Sequence, residues 1–135
     1  MLHLKRAGVL LLVAVLILSL GISLAGAKKK KRERPWDSQI TLVHPASTQF
    51  SGRVGSNLAA CRYARLVTVF YTDPSTGQTQ PLSVQRTDKD GRYLVSLPAP
   101  AYPGGYRATV AEAHIRAKEA PHLCKAAVSG TVSLE

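Results

Sequence analysis

From Trp36 onward, the dominant spacing of apolar and polar side chains is two, that of a half-buried β-strand. Residues 38–43 place Ile40 and Leu42 on one face, and Pro45 ends that segment. Residues 49–54 align Phe50, Gly52 and Val54. Residues 65–72 are the densest run of β-branched and aromatic side chains, with Val67, Val69 and Tyr71 on one face and a second apolar face behind them. That composition predicts a central strand. Residues 82–87 predict a strand with Leu82 and Val84 inward, residues 92–97 one with Tyr93, Val95 and Leu97 inward, and residues 106–111 another alternating strand. Residues 126–134 predict a last strand with Val128, Val132 and Leu134 inward. Residues 113–125 have no strand pattern and suggest a short helical turn. Asp73-Pro74-Ser75-Thr76-Gly77 reads as a turn, Asp88-Lys89-Asp90-Gly91 as a tight hairpin connection, and 98–105 as a stiff, exposed proline loop. About seven short strands in roughly 100 residues predict an all-β fold, an antiparallel seven-stranded Greek-key β-sandwich.

The N-terminal region breaks this pattern. Residues 7–27 carry no charge, follow Lys5 and Arg6, and end in Ala25-Gly26-Ala27. A basic start, an apolar middle and a small-residue ending predict a secretory signal helix over 1–27, cleaved near Ala27. The alternative is an uncleaved membrane anchor, because a run of this length can span a bilayer. Six positive charges follow it, and the positive-inside rule would hold that side in the cytoplasm. The small-residue ending favours cleavage. Residues 28–37 then form a basic flexible leader, and 38–135 the sandwich domain.

Charge changes the picture only in that leader. The chain has 18 Lys and Arg against 8 Asp and Glu, a net +10. Lys28, Lys29, Lys30, Lys31, Arg32 and Arg34 hold a third of the basic residues, so the positive charge is concentrated ahead of the fold. These six are candidate contacts for an anionic envelope polymer or lipid. A nucleic-acid partner is disfavoured, because the basic surface is not on the folded body.

Two cysteines, Cys61 and Cys124, in an exported chain are expected to pair as a disulfide. The competing arrangement is a zinc site built from both cysteines with His114 and His122. It lacks metal-ligand spacing. Asp88 and Asp90 lack the further oxygen ligands of a calcium loop. The histidines His44, His114 and His122 show no catalytic or metal spacing, and neither a nucleophile elbow nor a phosphate-binding glycine loop is present. No cofactor is expected, and the chain reads as a non-catalytic protein.

Thr87-Asp88-Lys89-Asp90-Gly91-Arg92-Tyr93, with Gly105-Tyr106-Arg107-Ala108 downstream, resembles the carboxypeptidase regulatory-like domain. The wider frame of Phe50-Ser51-Gly52-Arg53-Val54, Val67, Val69 and Cys124 resembles small exported bacterial sandwich proteins. The resemblance implies a prealbumin-like (transthyretin-like) fold and support roles, as accessory domains on secreted enzymes, adhesin stalks and surface proteins. It implies no ligand-binding residue. The chain itself reads as a binding or structural protein, secreted or at the cell surface, with an extracellular protein or glycan as partner.

Overall fold

A computed structural model describes residues 32–118 and 120–135. The signal segment, its cleavage site and Lys28 to Lys31 lie outside the described residues. The folded unit begins at Arg32. Within it the chain is all-β apart from one 3-10 turn, Ala59–Cys61.

One sheet is centred on β5 (Leu66–Thr72), flanked by β6 (Thr79–Arg86) and β8 (Gly104–Val110). The far side of β8 is shared by β11 (Ala127–Val128) and β12 (Val132–Leu134). A second sheet is centred on β4 (Gln49–Gly55), with β7 (Arg92–Ser96) on one side and β2 (Gln39–Ile40) and β3 (Val43–Ala46) on the other. All these pairings are antiparallel. The third, smaller sheet adds β1 (Arg34–Trp36) in parallel to β10 (His122–Cys124), which pairs antiparallel with β9 (Ala113–Ile115).

The period-two pattern accounts for the core of this sandwich-like arrangement. Ile40, Leu42, Phe50, Val54, Tyr93 and Val95 come from the second sheet and its connections. Val67, Val69, Tyr106, Ala108 and Val110 come from the first. Gly52 lies opposite Tyr93. A Cβ there would collide with that ring and with the Thr41 carbonyl. The Tyr93 hydroxyl donates to the same carbonyl, and burial pushes its pKa up to about 12.

Several expectations are corrected. Leu82 and Val84 do not face the core. β6 is an edge strand, Ser83 and Gln85 lie opposite the buried Val69 and Val67, and Leu82 is the extra residue of a bulge. Val128 is 60% exposed because it lies opposite Thr109 on the outer face. Residues 126–134 are two strands, not one. Between them Ser129 turns inward and its hydroxyl accepts the Ala108 N–H at 2.9 Å. Residues 113–125 form β9 and β10 instead of a helical turn, through backbone pairing that their side-chain pattern does not advertise. Arg34–Trp36 is a strand, so order starts ahead of residue 38. Asp88 to Gly91 is not a hairpin: it carries the chain from β6 in one sheet to β7 in the other. The Asp88 carboxylate accepts the N–H groups of Asp90 and Arg92, both at 2.9 Å. The Arg92 bond is the main cause of its lowered pKa. Gly91 completes this corner at φ 83°, where a Cβ would strike the Val54 carbonyl.

Candidate functional site

The two ends of β5 carry the two most distinctive features of the molecule. At its C-terminal end the side chains of Tyr71, Leu97, Tyr102 and Tyr106 surround an apolar cleft of about 210 Å³. Pro98 to Ala101 close one side, and Gln80 and Leu82 of the edge strand close the other. Strand alternation places Tyr71 and Tyr106 on the inner face, and they pair directly across β5 and β8. Their rings are 5.2 Å apart, and Tyr106 continues onto Phe50 at 4.5 Å and Phe50 onto His44 at 4.6 Å. The floor of the cleft is therefore one end of an aromatic chain that crosses the core.

The loop above it is held rigid. Leu97 N–H donates to the Thr48 carbonyl and Ala101 N–H to the Ser47 carbonyl, both at 2.8 Å. The Tyr71 hydroxyl donates to the Pro103 carbonyl at 2.9 Å and the Tyr106 hydroxyl to the Tyr102 carbonyl at 2.7 Å. Burial, then the neighbouring Tyr71, raises the Tyr106 pKa. Gly104, at φ 144°, lets the chain turn into β8 against the Tyr71 ring, which a Cβ would strike. With the Tyr71 and Tyr106 hydroxyl protons committed to backbone carbonyls, the floor of the cleft presents ring faces and methyl groups, and the exposed Tyr102 carries the remaining hydroxyl. Gln80 supplies its one side-chain amide. Such a surface suits an apolar side chain or a proline, and is poorly equipped for a sugar with its dense hydroxyls. Tyr102 stands 73% exposed at the rim.

At the opposite end of β5, Cys61 and Cys124 form the expected disulfide, with both residues fully buried and Cα atoms 5.4 Å apart. This pairing removes the zinc arrangement, since neither sulfur is a free thiolate. Beside it lies a residue the sequence did not nominate. Arg65 is 2% exposed, and among the described residues no carboxylate contacts it. Its guanidinium donates to the carbonyls of Cys61 (2.6 Å), Ala111 (2.8 Å) and Lys125 (3.0 Å) and to the Ser38 hydroxyl (3.1 Å). One cation thus ties four chain segments together, two of them next to the paired cysteines. Burial lowers its pKa. The signal for it was position alone: an arginine opening the most apolar strand has its stem drawn into the core.

The remaining nominated residues are dispersed. Arg32 is exposed, and Arg34 lies in β1 beside His122, away from the cleft. His44 bonds the Gln49 carbonyl at 2.9 Å. His122 accepts the Trp36 indole N–H at 3.0 Å. His114 lies between Glu33 (2.9 Å) and Glu112 (3.2 Å). Among the described residues no cluster of three His, Cys, Asp or Glu could hold a metal ion, and no helix is long and apolar enough to cross a membrane. A wide groove of about 510 Å³ runs over β4 and β7, where Arg53 and Arg92 lie opposite each other. It is shallow, and Asp88 shares it. Comparison with protein-family models and with curated proteins finds no match for this chain.

Proposed function

We propose that this is an exported, non-catalytic binding module with a prealbumin-like Greek-key sandwich of the carboxypeptidase regulatory-like kind, released by cleavage near Ala27. It acts outside the cytoplasm by docking an apolar group of a partner in the cleft beneath residues 98–103. The observation that carries this reading is the cleft itself: a preformed aromatic pocket on a pinned loop, with the hydroxyl donors of Tyr71 and Tyr106 already used. The buried disulfide agrees with an oxidising compartment. The all-β architecture, with β5, β6 and β8 in one antiparallel sheet and β7 in the other, supports a sandwich-like fold.

Two measurements test the reading. Intact mass of the protein from its native host should show loss of residues 1–27 and a two-hydrogen deficit that reduction reverses. A full-length mass with free thiols would remove the exported reading. Apolar fragments, such as indole, should shift the ring NMR signals of Tyr71, Tyr102 and Tyr106, and Tyr102→Ala should weaken them several-fold. Shifts elsewhere on the surface, with these rings silent, would refute the cleft as the docking site.

A further inference from the structure

The cleft is bordered by the edge strand β6, which supplies Gln80 and Leu82 to its lining and whose hydrogen-bonding state follows from the ladder. Thr87 N–H donates to the Arg65 carbonyl, and Ala111 N–H donates to the Leu66 carbonyl. Odd-numbered residues at this end of β5 therefore bond toward β6 and even-numbered ones toward β8. Antiparallel alternation then assigns Ser83 and Gln85 to the bonds with β5. It turns the N–H and C=O groups of Val84 and Arg86 outward, where the sheet ends. Pro81, with no N–H, and the bulge at Leu82 close the edge on the cleft side, as expected for a protected edge. What is left open is short: Val84, 55% exposed, and Arg86.

Arg86 is the one charge on β6. It donates to the Ala64 carbonyl at 3.1 Å and makes no ion pair among the described residues. Leu82, 38% exposed, joins this open stretch to the cleft. Within about 15 Å, at the strand rise of ~3.4 Å per residue, the surface offers an apolar pocket, a short row of main-chain groups unpaired among the described residues and a guanidinium with no carboxylate partner among them.

We propose that the partner is an extended peptide segment that adds to β6 as a further strand. It places an apolar side chain in the cleft and a carboxylate against Arg86, and its main chain pairs with Val84 and Arg86. Main-chain pairing provides affinity and the two end contacts provide selectivity. The charge decides between occupants. A second copy of β6 would bring another arginine and no acid to this edge, whereas an acidic segment matches it. This proposal rests on the cleft reading and names its partner.

The test selects a displayed library of linear peptides on the full oxidised protein, then measures the enriched peptides against variants. Val84→Pro removes an outward N–H without breaking a bond to β5, and its fold is checked by melting and by the NMR signals of β5. The expected result is enrichment of peptides combining an apolar and an acidic residue. Their affinity should drop at least tenfold in Val84→Pro and in Arg86→Glu, and their binding should shift the amide signals of 83–86. Peptides that lose affinity in Tyr102→Ala but are indifferent to Val84→Pro and Arg86→Glu would overturn strand addition and leave the cleft reading standing. Indifference to all three variants would overturn both. If Val84→Pro does not fold, Arg86→Glu and the amide shifts decide. Failure to enrich any peptide would also overturn strand addition.

Discussion

The two ends of β5 lie one strand length apart and are built on opposite principles. At the Arg65 end, polar groups are buried and tied together: a disulfide, a guanidinium and carbonyls from three chain segments. At the Tyr71 end, the rings of Tyr71 and Tyr102 stay accessible while the hydroxyls of Tyr71 and the buried Tyr106 hold the backbone of the loop above. The first end converts polar chemistry into rigidity. The second uses a few hydrogen bonds to keep an apolar surface open. A cavity that stays open needs walls that cannot collapse, and the aromatic chain from His44 to Tyr71 is anchored in the core that the other end locks. The contrast separates the end that acts as scaffold from the end proposed as the docking site.

Breaking the locked end should produce the largest effects. Cys61→Ser releases a loop with a sequence separation of 63, and loop-closure entropy puts the loss at about 4 kcal/mol. Calorimetry should show a melting temperature lower by roughly 15 °C or more, at 4–8 °C per kcal/mol for a domain near this size. Arg65→Met fills much of the same space but leaves the buried Cys61 carbonyl and the half-buried contacts to the Ala111 and Lys125 carbonyls without their guanidinium donor. The expected loss is about 3 kcal/mol by denaturant titration. The two effects should not add, because Arg65 bonds the carbonyl of Cys61 itself. Strict additivity in the double variant would mean that the cation and the disulfide stabilise separate parts of the fold.

Most of the locked end was legible in the sequence, but its central residue was not. Cysteine number and the exported reading were enough to pair Cys61 with Cys124, since only one intramolecular pair exists. The period-two pattern found Val67, Val69, Tyr93 and Val95, because a buried face imposes strict alternation. It misassigned Leu82 and Val84, because alternation shows which residues share a face and not which strand lies at an edge. A bulge then shifts the register by one. Arg65 was invisible to hydropathy: a buried arginine depends on carbonyls from remote segments, and sequence does not say where those will converge. The cleft was half legible. Residues 98–105 were marked by their prolines. Their pairing with Tyr71 and Tyr106 is tertiary, and appears only once β5 and β8 are neighbours.

The open end should respond more gently. Tyr106→Phe removes one hydrogen bond to the Tyr102 carbonyl while keeping the ring in the stack, and should cost about 1 kcal/mol. It should also raise amide exchange in residues 98–103 more than in β5. Equal protection before and after would mean that the loop is held by Ser47, Thr48 and the Tyr71 hydroxyl without help from Tyr106. Tyr102→Ala should change stability by less than about 0.5 kcal/mol, as befits an exposed side chain. Its effect should appear in fragment binding. A large loss of stability in Tyr102→Ala would turn the exposed rim into a structural element and blur the distinction between the two ends.

The smallest effect lies at the outer margin of the locked end, where β9 and β10 hold β1. His114 is exposed and lies between Glu33, just ahead of β1, and Glu112. The hydrogen bond with Glu33 and then its charge raise the histidine pKa above its ordinary 6.5. The sign follows from linkage: a group whose folded pKa is raised contributes stability that is fully present below its unfolded pKa. That contribution fades as pH rises through the folded value. The protein should therefore lose a little stability from about pH 6.5 upward, and His114→Gln should flatten the slope. NMR titration should show the His114 ring moving together with the amides of β1, while Tyr102 and the 98–103 loop stay still. The contact is exposed, so salt should weaken the effect. If the loop titrated with His114, the two ends would be coupled through the sandwich, and the division into a rigid scaffold and an independent cleft would have to be given up.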